Sequence, residues 1–283
     1  MKKTLVLVLL VVAIIATAAL GFAACNKTTY TIGVQKGTTG EYYVKGDSDW
    51  GYPGFSNISY NAYDNGGLAV QALKNGAVNA VIIDEAPAKT LAAEIEGIKV
   101  IDVVLTTEKY GIGVDKNQNG LKDQINAIFA TDEFKTFKAQ VFANYDDENY
   151  DPTPVTAATV ADASKKDQQL VLATNAEFPP FEYKSGNGFV GIDMEIAAFI
   201  AEKLGLELVI IDMDFDAVVT SVGLNNIDIA LSGLTINEKR KESVNFTDPY
   251  YEEAAQMLVV LADDTTFDGL TTAAQIEEKL KSL

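Results

Sequence analysis

Arg240 is the one arginine in a chain whose other basic residues are all lysine, 22 Lys+Arg in total. Guanidinium differs from ammonium in its rigid planar fork, which grips a carboxylate or phosphate through paired N–H donors. Arg240 closes the run Leu231-Ser232-Gly233-Leu234-Thr235-Ile236-Asn237-Glu238-Lys239-Arg240, an apolar strand end followed by a Gly-Leu-Thr turn. Such a turn brings free backbone groups and the Thr235 hydroxyl near the guanidinium, a set suited to a small carboxylate. Asp84 ends a second apolar run, Ala80-Val81-Ile82-Ile83-Asp84, and is suited to an ammonium. Phe178, in Glu177-Phe178-Pro179-Pro180-Phe181, and Phe215, in Asp214-Phe215-Asp216, are aromatics in loops after strands. They read either as an apolar clamp around a small ligand or as satellite core packing. Gly37, in Lys36-Gly37-Thr38-Thr39-Gly40, offers amides and hydroxyls that can hold a carboxylate, or is a plain turn.

Other chemistry is excluded or weak. The chain has no histidine, so it lacks the usual general base near neutral pH and the commonest transition-metal ligand. Gly186-Asn187-Gly188-Phe189-Val190-Gly191 fits a dinucleotide fingerprint in letters only, because Asn175–Ser185 separates the glycines from the preceding strand. Asp115-Lys116-Asn117-Gln118-Asn119-Gly120 opens like a calcium loop, but its twelfth position is Asn126 where a glutamate is needed. No metal and no cofactor is expected.

The elements that must carry these residues alternate between strand and helix, the pattern of an α/β fold. Strands are expected at Thr31–Val34, Val78–Ile83, Leu170–Ala173, Leu206–Ile211 and Ile227–Leu231. Helices are expected at Gly67–Lys74, Gly120–Phe129, Asp193–Leu204, Asp216–Val222 and Thr271–Leu280. Between Asp146 and Asp167 a polar stretch with Pro152 and Pro154 lacks either period and reads as a linker. A weak repeat spans it: Val70–Asp84 aligns with Val219–Gly233, each copy a helix, a polar turn and a buried strand. Asp84 and Gly233 fall at the same place, just past a strand's carboxyl end, where open α/β sheets bind ligands.

Length and charge bound the rest. The 283 residues suffice for two lobes, and a net charge of −18 makes nucleic acid and anionic membrane surfaces poor partners. Lys2 and Lys3 precede an apolar run and then Leu20-Gly21-Phe22-Ala23-Ala24-Cys25, the pattern of an export signal. Cys25 is the single cysteine, and small residues directly before it resemble a bacterial lipoprotein signal. The expected place of work is therefore extracytoplasmic, lipid-anchored to the membrane through Cys25, with an uncleaved transmembrane anchor as the alternative.

Leu172-Ala173-Thr174-Asn175 leading to Phe178–Glu182, then Gly191-Ile192-Asp193, Asp214-Phe215-Asp216 and Ser232–Arg240, resemble the first lobe of the extracellular amino-acid-binding proteins of ABC importers. Ile32–Gly40 and Ala80–Asp84 resemble the second lobe of that polar amino-acid solute-binding family. The resemblance implies a two-lobed, type II periplasmic-binding-protein-like fold with a reversed lobe order, as in a circular permutation. The implied organisation is a signal at 1–25, the second lobe at 26–108 and a return segment at 109–145. A linker follows at 146–169, then the first lobe at 170–262 and a helix completing the second lobe at 263–283. Carried over to this chain, the resemblance implies that Arg240 binds an α-carboxylate, helped by Thr38 and Thr39. It implies that Asp84, the Gly233 carbonyl and Thr235 take an α-ammonium, with Gln35 and Ser232 also in the site. Phe178 and Phe215 would sandwich the side chain, and Asn175 and Glu177 would line its far end. The lobes would close about crossovers near Leu105–Val114 and Ala254–Leu261, and a permease and an ATPase are the implied partners.

Neutral Asn175 at the far end favours a polar amino acid, uncharged ahead of basic and acidic last. Two other functions share this fold reading: an extracellular dehydratase, and a receptor feeding a signalling partner.

Overall fold

A computed structural model describes residues 29–147 and 149–283; the apolar N-terminal run and Cys25 lie outside the described residues. Fifteen strands are formed among them: β1 (Thr31–Gln35), β2 (Ser59–Tyr63), β3 (Ala80–Asp84), β4 (Ile98–Ile101), β5 (Glu108–Tyr110), β6 (Gly113–Asp115), β7 (Gln169–Thr174), β8 (Glu177–Phe178), β9 (Glu182–Ser185), β10 (Gly188–Val190), β11 (Glu207–Asp212), β12 (Ile229–Ala230), β13 (Val244–Phe246), β14 (Tyr251–Ala254) and β15 (Gln256–Leu261). The α-helices are α1 (Thr39–Lys45), α2 (Gly66–Lys74), α3 (Glu85–Glu94), α4 (Asn119–Ala130), α5 (Asp132–Tyr145), α6 (Ile192–Leu204), α7 (Phe215–Ser221), α8 (Glu238–Lys241) and α9 (Ala273–Ser282).

Two five-stranded sheets organise the molecule. One runs β2-β1-β3-β15-β4 and the other β11-β7-β12-β6-β13. Number the strands of each sheet by their own order and both read second, first, third, visitor, fourth. The visitor is antiparallel to both neighbours: β15 against β3 and β4, β6 against β12 and β13. Each visitor arrives from the segment that follows the other sheet's fourth strand. The crossovers themselves pair as β5 with β14, so the two lobes are joined by a short two-stranded ribbon.

Burial explains why the sheets attract these particular helices. Strands β3 and β7 are buried along their whole length, as apolar runs covered on both faces should be. In the β1 lobe, Ile276 and Leu280 of α9 pack with Ile32, Ala80 and Leu258. In the β7 lobe, Ile125 of α4 and Phe134 and Val141 of α5 pack with Leu170 and Leu172. At about 1.5–3 kcal/mol for each buried large apolar side chain, three such residues hold 119–145 to that lobe.

The expected strands and helices are present with two informative differences. The run Ile227–Leu231 is regular only at β12, because the Asp228 carboxylate accepts the Val171 N–H at 2.9 Å and replaces a ladder bond. The polar stretch after α5 is not a free tether: Ala158 bridges to β11, donating to the Leu208 carbonyl at 2.9 Å and accepting from Ile210 at 2.8 Å. Helix α5 was missed because its apolar positions are masked by charged residues; its N-cap, Thr131, accepts from Phe134 N at 3.1 Å.

Candidate functional site between the lobes

The ends of β3 and β12 face one another across the junction of the lobes. The repeat seen in the sequence is real in three dimensions, since α2–β3 and α7–β12 occupy matching places in their sheets. After β12 the chain turns at Gly233, φ +50°, where a Cβ would fall 2.7 Å from the Phe178 ring. It then runs beside the β5 crossover, with Ile236 N donating to the Lys109 carbonyl at 2.9 Å. Asn237 caps the one-turn helix α8 by accepting from Arg240 N at 2.8 Å. These constraints fold the Arg240 side chain back into the junction.

Arg240 is only 7 % exposed. Nη1 donates to the Thr235 carbonyl at 2.9 Å, and Nη2 reaches the other lobe to donate to the Gly37 carbonyl at 3.0 Å. Guanidinium has five N–H donors, so these carbonyls orient the fork without using it up. Gly37 accepts this approach with φ +72°, and a Cβ there would lie 3.3 Å from the Asp216 backbone. The guanidinium carbon is 5.1 Å from the Trp50 ring centroid and 5.4 Å from that of Phe215. Burial pushes the guanidinium down to about 10, opposed by the charges of Glu108 and Asp84.

Asp84 is 6 % exposed and accepts a short hydrogen bond from the Tyr110 hydroxyl. Burial first, then the charge of Glu108, pushes its carboxyl up to about 7. Glu108 had no place in the sequence reading, yet it is the most connected acceptor of the junction. It receives Thr39 Oγ1 at 2.7 Å, Thr235 Oγ1 at 2.6 Å, Thr106 Oγ1 at 2.6 Å and Gln256 Nε2 at 3.2 Å. A cavity of about 400 Å³ opens beside it, lined in part by Thr39, Trp50, Tyr52, Glu108 and Thr235.

The remaining expected residues gather in the junction but divide in role. Gln35 donates across the lobes to Asn175 Oδ1 at 3.2 Å. Exposed Glu177 accepts from Asn65 of the opposite lobe at 2.8 Å. The Thr38 hydroxyl caps α1, accepting from Glu41 N at 3.4 Å and donating to the Gln35 carbonyl at 2.7 Å. Ser232 accepts from Asn175 N at 3.0 Å and donates to buried Glu182 at 2.8 Å. Thr38 and Ser232 hydroxyls thus brace the walls of the junction. The Phe178 ring stacks on Phe181, 5.9 Å between centroids, whereas Phe215 lies beside Arg240. Trp50, Tyr110, Gln256 and Glu108 were not found from the sequence. The count of one tryptophan was the available signal for Trp50, as the count of one arginine was for Arg240.

Among the described residues no group of three or more His, Cys, Asp or Glu is arranged for a metal ion, and no helix is long and apolar enough to cross a membrane. The arrangement suits a zwitterion instead, with a fork for a carboxylate and an acid for an ammonium.

Part of the chain is similar to known proteins. Residues 170–281 match the bacterial extracellular solute-binding proteins, family 3. The arginine-binding extracellular protein ArtP of Bacillus subtilis is 38% identical over 103 residues, 36% of this chain and 40% of ArtP. A cyclohexadienyl dehydratase of Pseudomonas aeruginosa is 28% identical over 102 residues, 36% of this chain and 38% of that enzyme. The arginine-bound form of truncated ArgBP from T. maritima is 43% identical, with a TM-score of 0.29, covering 32% of this chain and 43% of that one. The chain thus spans less than half the length of these two curated relatives.

Proposed function

We propose that this chain, whose residues 170–281 match the bacterial extracellular solute-binding proteins, family 3, captures an amino acid between its two lobes for an ABC importer. The observation that carries this reading is the opposed pair of buried groups, Arg240 from the β7 lobe and Asp84 from the β1 lobe. Arg240 takes the α-carboxylate with Thr39, and Asp84 takes the α-ammonium with Thr235 and the Gly233 carbonyl. Phe215 and Phe178 flank the side chain, and Asn175, Gln35 and Glu177 line its far end.

The ligand class is basic. Asn175 alone argues for an uncharged side chain, but the two buried carboxylates Asp84 and Glu108 outnumber the one guanidinium and favour added positive charge. The name of the Bacillus subtilis relative, arginine-binding, supports the same order. A thermal-shift screen of the standard amino acids tests the function: arginine or lysine should raise Tm through binding to the folded state alone. No shift with any amino acid would remove the reading.

Lipid anchoring at Cys25 and docking to a permease with its ATPase complete the proposal. Permuted order is part of it, supported by the strand topology and by Leu280 of α9 packing in the same core as Tyr30, just before β1. The dehydratase relative gives the enzyme alternative its one support; turnover of a prephenate-like acid by the purified chain would favour it.

A further inference from the structure

Glu108 and Tyr110 point to the same face of β5, being two residues apart on a strand. Tyr110 donates to Asp84, and Glu108 is bound by Gln256, which lies opposite Asp84 in the β15–β3 register. The fold therefore brings two buried carboxylates together at the junction. Thr39, Thr235, Thr106 and Gln256 all donate to Glu108 and fix its carboxylate in place. Asp84 accepts from the Tyr110 hydroxyl and has the Glu108 carboxyl as a like-charge neighbour.

We propose that Glu108 makes the ammonium site proton-coupled, so that the α-ammonium of the ligand enters beside Asp84 in exchange for a proton Asp84 otherwise holds. This rests on the amino-acid reading above. The step is a simple exchange: the Asp84 O–H bond breaks, the proton goes to solvent, and an ammonium N–H donates to the freed carboxylate. No covalent bond to the ligand forms. Glu108 acts as a positioning and tuning residue, through Asp84.

Every charged or titratable group around Asp84 bears on the balance. Burial is the largest influence raising Asp84, to about 7, and Glu108 is the second. Hydrogen bonds from Tyr110 and Gln256 and the charge of Arg240 act the other way. Tyr52, Tyr251 and Glu182 also feel the Asp84 charge, and burial raises all three above their ordinary values. Asp84, raised to about 7, is the group placed to exchange a proton near neutrality.

The sign follows directly. Above about pH 7 Asp84 is ionised and receives the ammonium without cost. Below it, binding must expel a proton, and affinity falls by up to about tenfold per pH unit.

The test is calorimetric titration of the full chain with L-arginine in two buffers of different ionisation heat, at pH 6, 7 and 8. The expected result at pH 7 is release of roughly half a proton per arginine bound, growing at pH 6 and vanishing at pH 8. In Glu108→Gln the profile should move to lower pH, because the like charge is gone. Wild-type heats that are the same in both buffers at all three pH values overturn the proposal without any variant. So does a Glu108→Gln profile that overlays the wild type. If neither arginine nor any other standard amino acid binds, the amino-acid reading falls and this inference with it; if another amino acid binds, it replaces arginine in the same titrations.

Discussion

The indole of Trp50 lies 5.1 Å from the guanidinium carbon of Arg240, although the two residues belong to different lobes. Trp50 is held there by its stack on Tyr42, 4.0 Å between centroids, and by the tight Asp47–Tyr52 loop. Lys239 and Asp49 add a cross-lobe ion pair at 3.4 Å, exposed and worth little alone.

Trp50 is the sole tryptophan, so its fluorescence reports on this junction and nothing else. Adding arginine should change the emission, and Trp50→Leu should weaken binding by about 0.5–2 kcal/mol through loss of the cation–π contact. Unchanged emission at saturating ligand would separate Trp50 from the site.

Arg240→Lys should lose at least about 2–5 kcal/mol of binding, since a point charge cannot replace a fork held by the Thr235 and Gly37 carbonyls. Calorimetry is the measurement. Near-native affinity in that variant would take the α-carboxylate away from Arg240.

Asp193 gives a prediction in stability. It is fully buried, accepts from Gly233 N at 2.8 Å and from the Tyr250 hydroxyl at 2.9 Å, and burial pushes it up to about 6. A carboxyl raised in the folded state favours folding when protonated. Its contribution is present below about pH 4 and lost as pH rises through about 6, on the order of 3 kcal/mol in all. Asp193→Asn keeps an acceptor and removes the titration. Urea unfolding at pH 4 and pH 7 should therefore show the wild type losing more stability than the variant over that interval.

How much of this was legible depended on whether a residue's role was local. Asp84 sits at the end of β3, which its apolar run announces, and the α2–β3 and α7–β12 repeat puts it in register with Gly233, on the turn that leads to Arg240. Glu108 lies in a stretch with no helical or strand period, Thr106-Thr107-Glu108-Lys109, and its importance comes from four donors scattered between residues 39 and 256. No local pattern encodes that. The Thr38 hydroxyl shows the same limit: the run Lys36-Gly37-Thr38-Thr39-Gly40 offers hydroxyls, but its sequence does not tell that the α1 cap engages the one on Thr38.

Gly233→Ala should cost at least about 1–2 kcal/mol, because φ +50° disfavours any L side chain and the new methyl meets the Phe178 ring. A lowered Tm checks it, and an unchanged Tm would show that Phe178 moves aside freely.

The lobe order can be tested by rearranging the chain. A polypeptide running from Gln169 to Leu283 and joined to Thr31–Tyr145 keeps the same packed elements and moves only the chain ends. It should fold and bind the ligand that the natural order binds. Failure to fold, while the natural order folds, would count against the permuted reading.

The exchanged strands set a limit on dissection. Residues 169–246 contain four strands of their sheet but not β6, which sits between β12 and β13. Cut out alone, that segment would leave a strand-wide slot with unpaired backbone donors and acceptors on both sides, an open template for another chain. The β1 lobe without β15 would carry the same slot between β3 and β4. Either lobe expressed as one contiguous piece should therefore aggregate, and limited proteolysis that severs the β5–β14 ribbon should yield nicked material that stays together until it is denatured.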